Sequence, residues 1–479
     1  MAETATDQRR YPGAGGLVLT VAVFALFLFS ARTFADSDTL WHIAAGNWIL
    51  DHRAVPHTDP FAFTTAGLDW TPHEWLAEVA FALAWRAGGF TFVVLLVGAA
   101  AAGAFWMMAR LLERWVAPLP AYVLLLLTLL CLAPAMLARP HVLALPVMVA
   151  WTGALVAARE REGAPSLWLT PLMCLWANLH GGFLSGLVLA AALAGEAVLG
   201  APAGQRARVL RGWAVFGLLS LLAATLTPHG IAGLLFPVRM MALDSKRRID
   251  EWAAPNFQSF EPMEIILLGA LGLGLLRGVR LPPVRVLIFL GLVHSALSHT
   301  RFQLQLAVVG FLVLAPSLGP YLWPAHWPVR RAGNRRAEAG VLVALLLALA
   351  LARMAEPAHW PDGPNAPWRA LAQLPPALRT QPVLNEYHLG GVLIFSGIRP
   401  FIDSRADLYR DAFLAEYVDI VNARPERVRA ALARWGIAWT FLEPGAPLVA
   451  WFDAQPDWRR VYADGFAVIH AKRDALPGG

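Results

Sequence analysis

Two residue types are almost missing from this chain of 479 residues, which holds two cysteines, Cys131 and Cys174, and two lysines, Lys246 and Lys472. Both cysteines sit inside apolar runs, so neither a disulfide scaffold nor a CxxC zinc site is available. Charge is also scarce, at 15% against about 25% in soluble domains, and an ordinary cytosolic enzyme is thereby excluded. No Gly-rich phosphate loop opens an expected helix, which argues against nucleotide binding. What is plentiful is apolar surface: 57% hydrophobic residues, 20 tryptophans and a mean hydropathy of +0.52. These describe a polytopic membrane protein with room for one soluble module.

Uncharged stretches at 11–31, 87–109, 115–138, 140–158, 163–195, 212–238, 265–276, 286–300, 302–329 and 339–352 are the candidate spans. The run 163–195 is too long for one span and is interrupted by Asn178–Gly182, so it is read as two helices, for about eleven crossings. The formal net charge of +6 resembles a nucleic-acid signal until its positions are considered. Starting from Arg9 and Arg10, alternate loops carry Arg110/Arg114, Arg159/Arg161, Arg206/Arg208/Arg211, Arg277/Arg280/Arg285 and Arg330/Arg331/Arg335/Arg336. The intervening short loops carry Arg139 alone. Such alternation places the arginine-rich side in the cytoplasm. The first run is read as an anchor, because its roughly 18 apolar residues exceed a signal-peptide core. The expected protein is a multi-pass protein of the bacterial cytoplasmic membrane, with its N-terminus inside and everything after about residue 355 outside.

The outer segments divide the chain into a membrane domain (1–355), a Pro-rich linker (356–381) and a small α/β module (382–479). Within 34–86, Leu40, Trp41, Ile43, Ala44, Trp48 and Ile49 recur at helical spacing, opened by Ser37/Asp38 as an N-cap. Such a helix is expected to lie along the membrane surface. A second amphipathic stretch, 74–86, runs toward the second span. In the module, strands are expected near 383–387, 399–404, 437–444 and 459–471, with helices at 411–423, 425–435 and 446–454. Its charges nearly cancel, and nothing in it suggests nucleic acid. Asp403, Arg405 and Asp407 read either as a polar site or as a charged turn after a strand.

Polar residues are costly near a bilayer and tend to mark function. Asp36, Asp38, His42, Glu74, Arg139, His141, Asn178, His180, His229, His299 and Arg301 come from five loops or loop edges, all on the expected outer face. Each has a plainer reading: Asp36 and Asp38 as helix cap and dipole partners, the histidines as interfacial aromatics, Asn178–Gly182 as a turn. Lys246-Arg247-Arg248 reads as a solvated turn at the headgroups or as a phosphate contact. His42, His73 and Glu74 with the two aspartates are a possible divalent-metal set, although no ligand spacing supports it.

The segments DTLWH (38–42), DPF (59–61), HEWL (73–76), ARPH (138–141), WANLHGG (176–182), EW (251–252) and FIDSRADLY (401–409) resemble a group of bacterial polytopic proteins. The acidic Asp36-Ser37-Asp38 just after the first span, the helix following it and the amphipathic approach to the second span resemble the GT-C superfamily of membrane glycosyltransferases. That superfamily uses polyprenyl-phosphate-linked sugars. The resemblance implies an all-α polytopic domain of about eleven transmembrane helices with outer surface helices, followed by the α/β module. It implies Asp38, then Asp36, as catalytic base or metal ligand, Glu74 as a second acid, and a lipid-phosphate contact at Arg139, Arg301 or Lys246-Arg247-Arg248. The polar residues His42, His73, His141, Asn178 and His180 complete the expected substrate site. Sugar would pass to a hydroxyl of a lipid, glycan or protein acceptor. The sequence requires no cofactor, and a divalent metal remains an option. No WWD motif is present, so transfer to asparagine is not implied. The alternative is a non-catalytic carrier of lipid-linked glycan or an assembly scaffold. A transporter would place ionisable groups near the midplane, whereas these lie at span edges.

The arginine alternation makes a direct prediction. A reporter fused after Gly479 reads as external and one fused near Ala201 as cytoplasmic; two reporters on one side contradict eleven crossings.

Overall fold

The computed structural model describes residues 14–242, 252–322 and 335–476. Every candidate span becomes helix: α1 (Ala14–Phe29), the later part of α3 (Trp75–Leu112), α4 (Pro118–Leu132), α5 (Pro140–Glu160), α6 (Thr170–Leu179), α7 (Phe183–Gly200), α8 (Arg206–Ala224), α10 (Pro262–Arg277), α11 (Pro283–Ser298), α13 (Phe311–Leu322) and α14 (Arg335–Ala355). Two others, α2 (Asp38–His52) and α9 (Gly230–Met241), lie in the connections between them, and α12 (Gln303–Gln305) enters α13 through a π-helical turn at 306–310. Among the described residues, seven helices are long and apolar enough to cross a membrane: Trp75–Leu112, Pro118–Ala135, Pro140–Glu160, Phe183–Gly200, Ala203–Ala224, Thr300–Leu322 and Arg336–Ala355. The other four expected crossings, α1, α6, α10 and α11, are shorter. Proline opens α4, α5, α10 and α11, where its fixed φ suits a first turn whose N–H groups have no helical partner.

α3 is two helices in one. Gly88 and Gly89 leave helical geometry, and Gly89 has φ 60° with ψ −151°, a region open only to glycine. The break separates the amphipathic approach from the span proper, as the sequence suggested. α2 packs on the approach so closely that a Cβ at Gly46 would lie 1.9 Å from the Glu78 carbonyl oxygen. The expectation of a helix with its apolar face laid on lipid is corrected here. Leu40 and Ile43 are fully buried and Trp41 nearly so, covered on one side by the membrane helices and on the other by the C-terminal module.

The module carries a four-stranded sheet of order β1-β2-β4-β3, built from β1 (Val383–Asn385), β2 (Trp439–Phe441), β3 (Trp458–Ala463) and β4 (Val468–Lys472). β1 runs parallel to β2, and β4 is antiparallel to both its neighbours. Four helices accompany it, α15 (Gly390–Phe395), α16 (Arg410–Val421), α17 (Pro425–Trp435) and α18 (Pro447–Asp453). The expected strand at 399–404 is a loop. Pro400 has no N–H to give a ladder, and the backbone of the next two residues is bonded by a side chain instead: Asn385 Oδ1 accepts from Phe401 N–H (2.8 Å) and its Nδ2 donates to the Ile402 carbonyl (2.8 Å). Thr64 Oγ1, from the first outer loop, donates to the Phe401 carbonyl (2.5 Å).

The module shares its apolar cores with the membrane domain. Trp41, Ala45, Ala62 and Trp70 pack with Phe401, Leu408 and Tyr409; Phe34, Leu40 and Val94 pack with Val392 and Trp439. The Pro-rich stretch 356–381 joins the second cluster through Trp360, Leu371, Leu374 and Leu378. Charge locks the seat. Arg405 is buried, with Nη1 on Asp59 Oδ1 (2.7 Å), Nε and Nη2 on the two oxygens of Asp403 (2.8 and 2.6 Å), and Trp70 and Phe61 against its plane at 4.7 and 5.3 Å. Asp59 also accepts from Phe61 N–H, Ala62 N–H and Thr65 Oγ1.

Removing one member of such a network strands buried charge. Arg405→Met, which leaves Asp59 and Asp403 without their cation, is expected to destabilise the protein by about 3–5 kcal/mol, read as a lowered unfolding temperature in detergent and faster tryptic release of the module. Unchanged protease resistance contradicts the clamp.

Candidate active site

The site begins where α1 ends. A short 3-10 turn (Ala31–Phe34) carries the chain to Asp36-Ser37-Asp38, and the two acids then take different tasks. Asp36 Oδ1 accepts from the Asp38 N–H (2.9 Å), which is the capping contact. Ser37, expected as a cap, makes no capping bond and donates its hydroxyl to the His388 carbonyl of the module. The Asp38 carboxylate is thereby left for side chains. Its Oδ2 lies 2.8 Å from Arg139 Nη2, while Arg139 Nη1 reaches Asp36 Oδ2 at 3.2 Å. Its Oδ1 accepts from Ser404 of the module. Arg139 precedes α5 and is brought here by its own loop: Ala138 N–H donates to the Thr33 carbonyl (3.1 Å), and Thr39 Oγ1 donates to the Ala138 carbonyl (2.8 Å).

One turn along α2 lies His42, wholly buried and tilted against Trp41 with ring centroids 3.6 Å apart. Neither ring nitrogen makes a hydrogen bond, yet Nε2 is 3.8 Å from Glu74 Oε2 and Nδ1 is 3.5 Å from Glu78 Oε1. Glu74 gathers two further histidines through its Oε1, His180 at 3.5 Å and His73 at 3.7 Å. His141 stands 6.3 Å from the His180 ring and bonds the Ala135 carbonyl through Nε2 (3.0 Å). Burial lowers the pKa of His42 and His180 well below the ordinary value and brings His73 down to about 3; Arg301 pushes the same way on His73 and His180, and Arg139 on His42 and His180. At neutral pH these imidazoles are uncharged, able to give and take hydrogen bonds without adding positive charge. Exposure rises from a dry floor at His42 and Glu78 (side chains 1%) to an open rim at His73 (28%) and Arg139 (22%).

The sequence candidates therefore fall into two touching groups, Asp36–Asp38–Arg139 and His42–Glu74–His73–His180. Arg301 sits over the Trp252 ring at 4.3 Å, near enough to act on His73 and His180. Asn178 serves as a joint: its amide donates to the carbonyls of Cys174 (2.7 Å) and Leu226 (3.0 Å), and its oxygen accepts from Trp75 Nε1 (2.6 Å). Lys246, Arg247 and Arg248 lie outside the described residues. For a divalent metal the fit is poor: among the described residues, no group of three or more His, Cys, Asp or Glu is placed to hold an ion. Two members were missed from sequence. Glu78 carried a signal, as an acid one turn from Glu74 in an apolar helix; Ser404 carried none beyond its place between Asp403 and Arg405.

Solved structures share this architecture. Superposition on the crystal structure of an Archaeoglobus fulgidus oligosaccharyltransferase in the apo form gives a TM-score of 0.52 at 12% identity, covering 89% of this chain and 69% of that one. ArnT from Cupriavidus metallidurans bound to undecaprenyl phosphate gives 0.50 at 13% identity, and its apo state 0.51 at 15%, each covering 97% of this chain and 99% of the other. No family profile and no curated protein sequence matches the chain. At these identities the likeness shows the fold alone: a polytopic helical membrane architecture shared with that oligosaccharyltransferase and with ArnT, and a small C-terminal α/β unit.

The neutral histidines set a pH dependence. Their folded pKa values are depressed, so the unfolded chain binds protons more readily, and stability present above about pH 6.5 is lost as pH falls. The unfolding temperature in detergent should drop between pH 7.5 and 5, with a shallower slope in His42→Gln; equal slopes contradict a neutral buried His42.

Proposed function

We propose that this protein transfers a sugar from a polyprenyl-phosphate carrier to a hydroxyl acceptor at the outer face of the bacterial cytoplasmic membrane. One observation carries the reading: the Asp38 carboxylate, with Asp36 taking the capping contact, is held just after the first span opposite Arg139. The shared fold supports it, since ArnT from Cupriavidus metallidurans, a protein of the same architecture, binds undecaprenyl phosphate in its crystal structure.

In this reading Asp38 accepts the proton of the attacking hydroxyl while the phosphate leaves the anomeric carbon, with inversion expected for a direct displacement. A carboxylate paired with arginine stays ionised at neutral pH and serves as base once the hydroxyl comes within hydrogen-bond distance. Arg301, whose planar fork lies over Trp252, is the proposed contact for charge developing on the leaving phosphate. The uncharged histidines around Glu74 supply hydrogen bonds to sugar hydroxyls. Apolar burial between spans would hold the prenyl tail. The proposed domain arrangement is the membrane domain to residue 355, with the module outside and completing the site.

The non-catalytic reading draws on one observation, that both Asp38 oxygens are engaged as a structural knot would engage them. Asp38→Asn separates the two. It keeps the shape and one acceptor oxygen but loses the base, so sugar transfer from native lipid-linked donor in a membrane extract should fall by a factor of about 10² to 10⁴, with expression and unfolding temperature near wild type. Undiminished transfer refutes the assignment, and loss of folding together with activity returns Asp38 to a structural role.

A further inference from the structure

Asp38 and Ser404 stand 366 positions apart in the chain and meet across the seam between the membrane domain and the module. The Ser404 hydroxyl is oriented from behind. Trp41 Nε1, one turn past the start of α2, donates to Ser404 Oγ at 3.0 Å, which occupies a lone pair of that oxygen and directs its hydrogen at Asp38 Oδ1. The backbone beneath is fixed as well: Tyr387 OH donates to the Ser404 carbonyl (2.9 Å), and the neighbouring residues are held by Asn385 and by the Arg405–Asp403 pair. With Arg139 on Oδ2, each carboxylate oxygen is held by a side chain from another segment.

We infer that Ser404 is a positioning residue for Asp38, so that the module supplies part of the active site. A module serving only as an outer appendage would need apolar contacts and the Arg405 clamp on Asp59 and Asp403, neither of which requires a hydroxyl on the Asp38 carboxylate. The Ser404 hydroxyl, aimed from two sides at a single oxygen, adds little to that seat. Its effect is on the orientation and charge of Asp38, whose charged or titratable neighbours among the described residues include Asp36 and Arg139, with His42 one turn along α2. The catalytic consequence rests on the proposed function; the contact itself does not.

The test therefore has two arms on the full-length protein in detergent. In the first, dicyclohexylcarbodiimide, which attacks protonated carboxyls, labels wild type, Ser404→Ala and Ser404→Thr, and mass spectrometry follows each acid. A hydrogen bond to the ionised form lowers a carboxyl's pKa, so Ser404→Ala should label Asp38 about tenfold faster, with Asp403 and Asp407 unchanged, and Ser404→Thr should return it to the wild-type rate. Equal labelling of Asp38 in all three overturns the proposal. Faster labelling of Asp403 and Asp407 as well shows a loosened module and also overturns it. In the second arm, transfer from native lipid-linked donor should lose about tenfold in kcat in Ser404→Ala with KM for donor unchanged, restored in Ser404→Thr. If the labelling arm behaves as expected while wild-type protein transfers no sugar, sugar transfer fails as the function and the positioning contact stands.

Discussion

A guanidinium cannot be buried without anions, and the placement of Arg405 governs much of what lies around it. Its two partners come from different ends of the chain: Asp403 two residues away, and Asp59 from the first outer loop. Satisfying both pins the 53–74 loop to the module, and the same loop leads into Glu74 and the approach helix of α3. The rings of Phe61 and Trp70 against the guanidinium add a requirement of shape to that of charge. With the seat fixed in this way, Ser404 has no freedom to miss Asp38.

The acids at the head of α2 show how two similar residues part company. Asp36 satisfies an N–H that the helix start would otherwise leave open, and Asp38, relieved of that duty, engages side chains of two other segments, Arg139 and Ser404. Arg139 bridges the pair and spares them mutual repulsion, leaving this group with a net charge of about −1 by formal count. Deeper in, burial keeps the histidines neutral, so the surroundings of Glu74 are rich in hydrogen-bonding groups and poor in charge. That division, a charged rim over a neutral polar floor, suits a ligand with a phosphate at one end and sugar hydroxyls at the other, which is the ligand proposed here.

What the sequence made legible was local. Apolar run length located all eleven helices, the HGG break divided 163–195, and the amphipathic stretch 74–86 is the approach to the span of α3. The module's helices lay close to where periodicity put them. The failures share a cause: they depend on partners far along the chain. Residues 399–404 alternate like a strand, yet their backbone groups are met by Asn385 and Thr64. The apolar side of α2 has the look of a lipid-facing surface because nothing nearby shows that the module will cover it. Ser404 sat inside a motif already noted for its charges, and only the fold reveals that the uncharged member touches Asp38.

The central claim is that the outer face between Asp38, the Glu74 histidines and Arg301 receives a polyprenyl phosphate. Cryo-electron microscopy of the purified protein with undecaprenyl phosphate tests it most directly. The account predicts phosphate density within hydrogen-bond reach of Arg301 and a prenyl tail running into the membrane helices below. Phosphate density on another face of the protein, or none at saturating lipid, would contradict it.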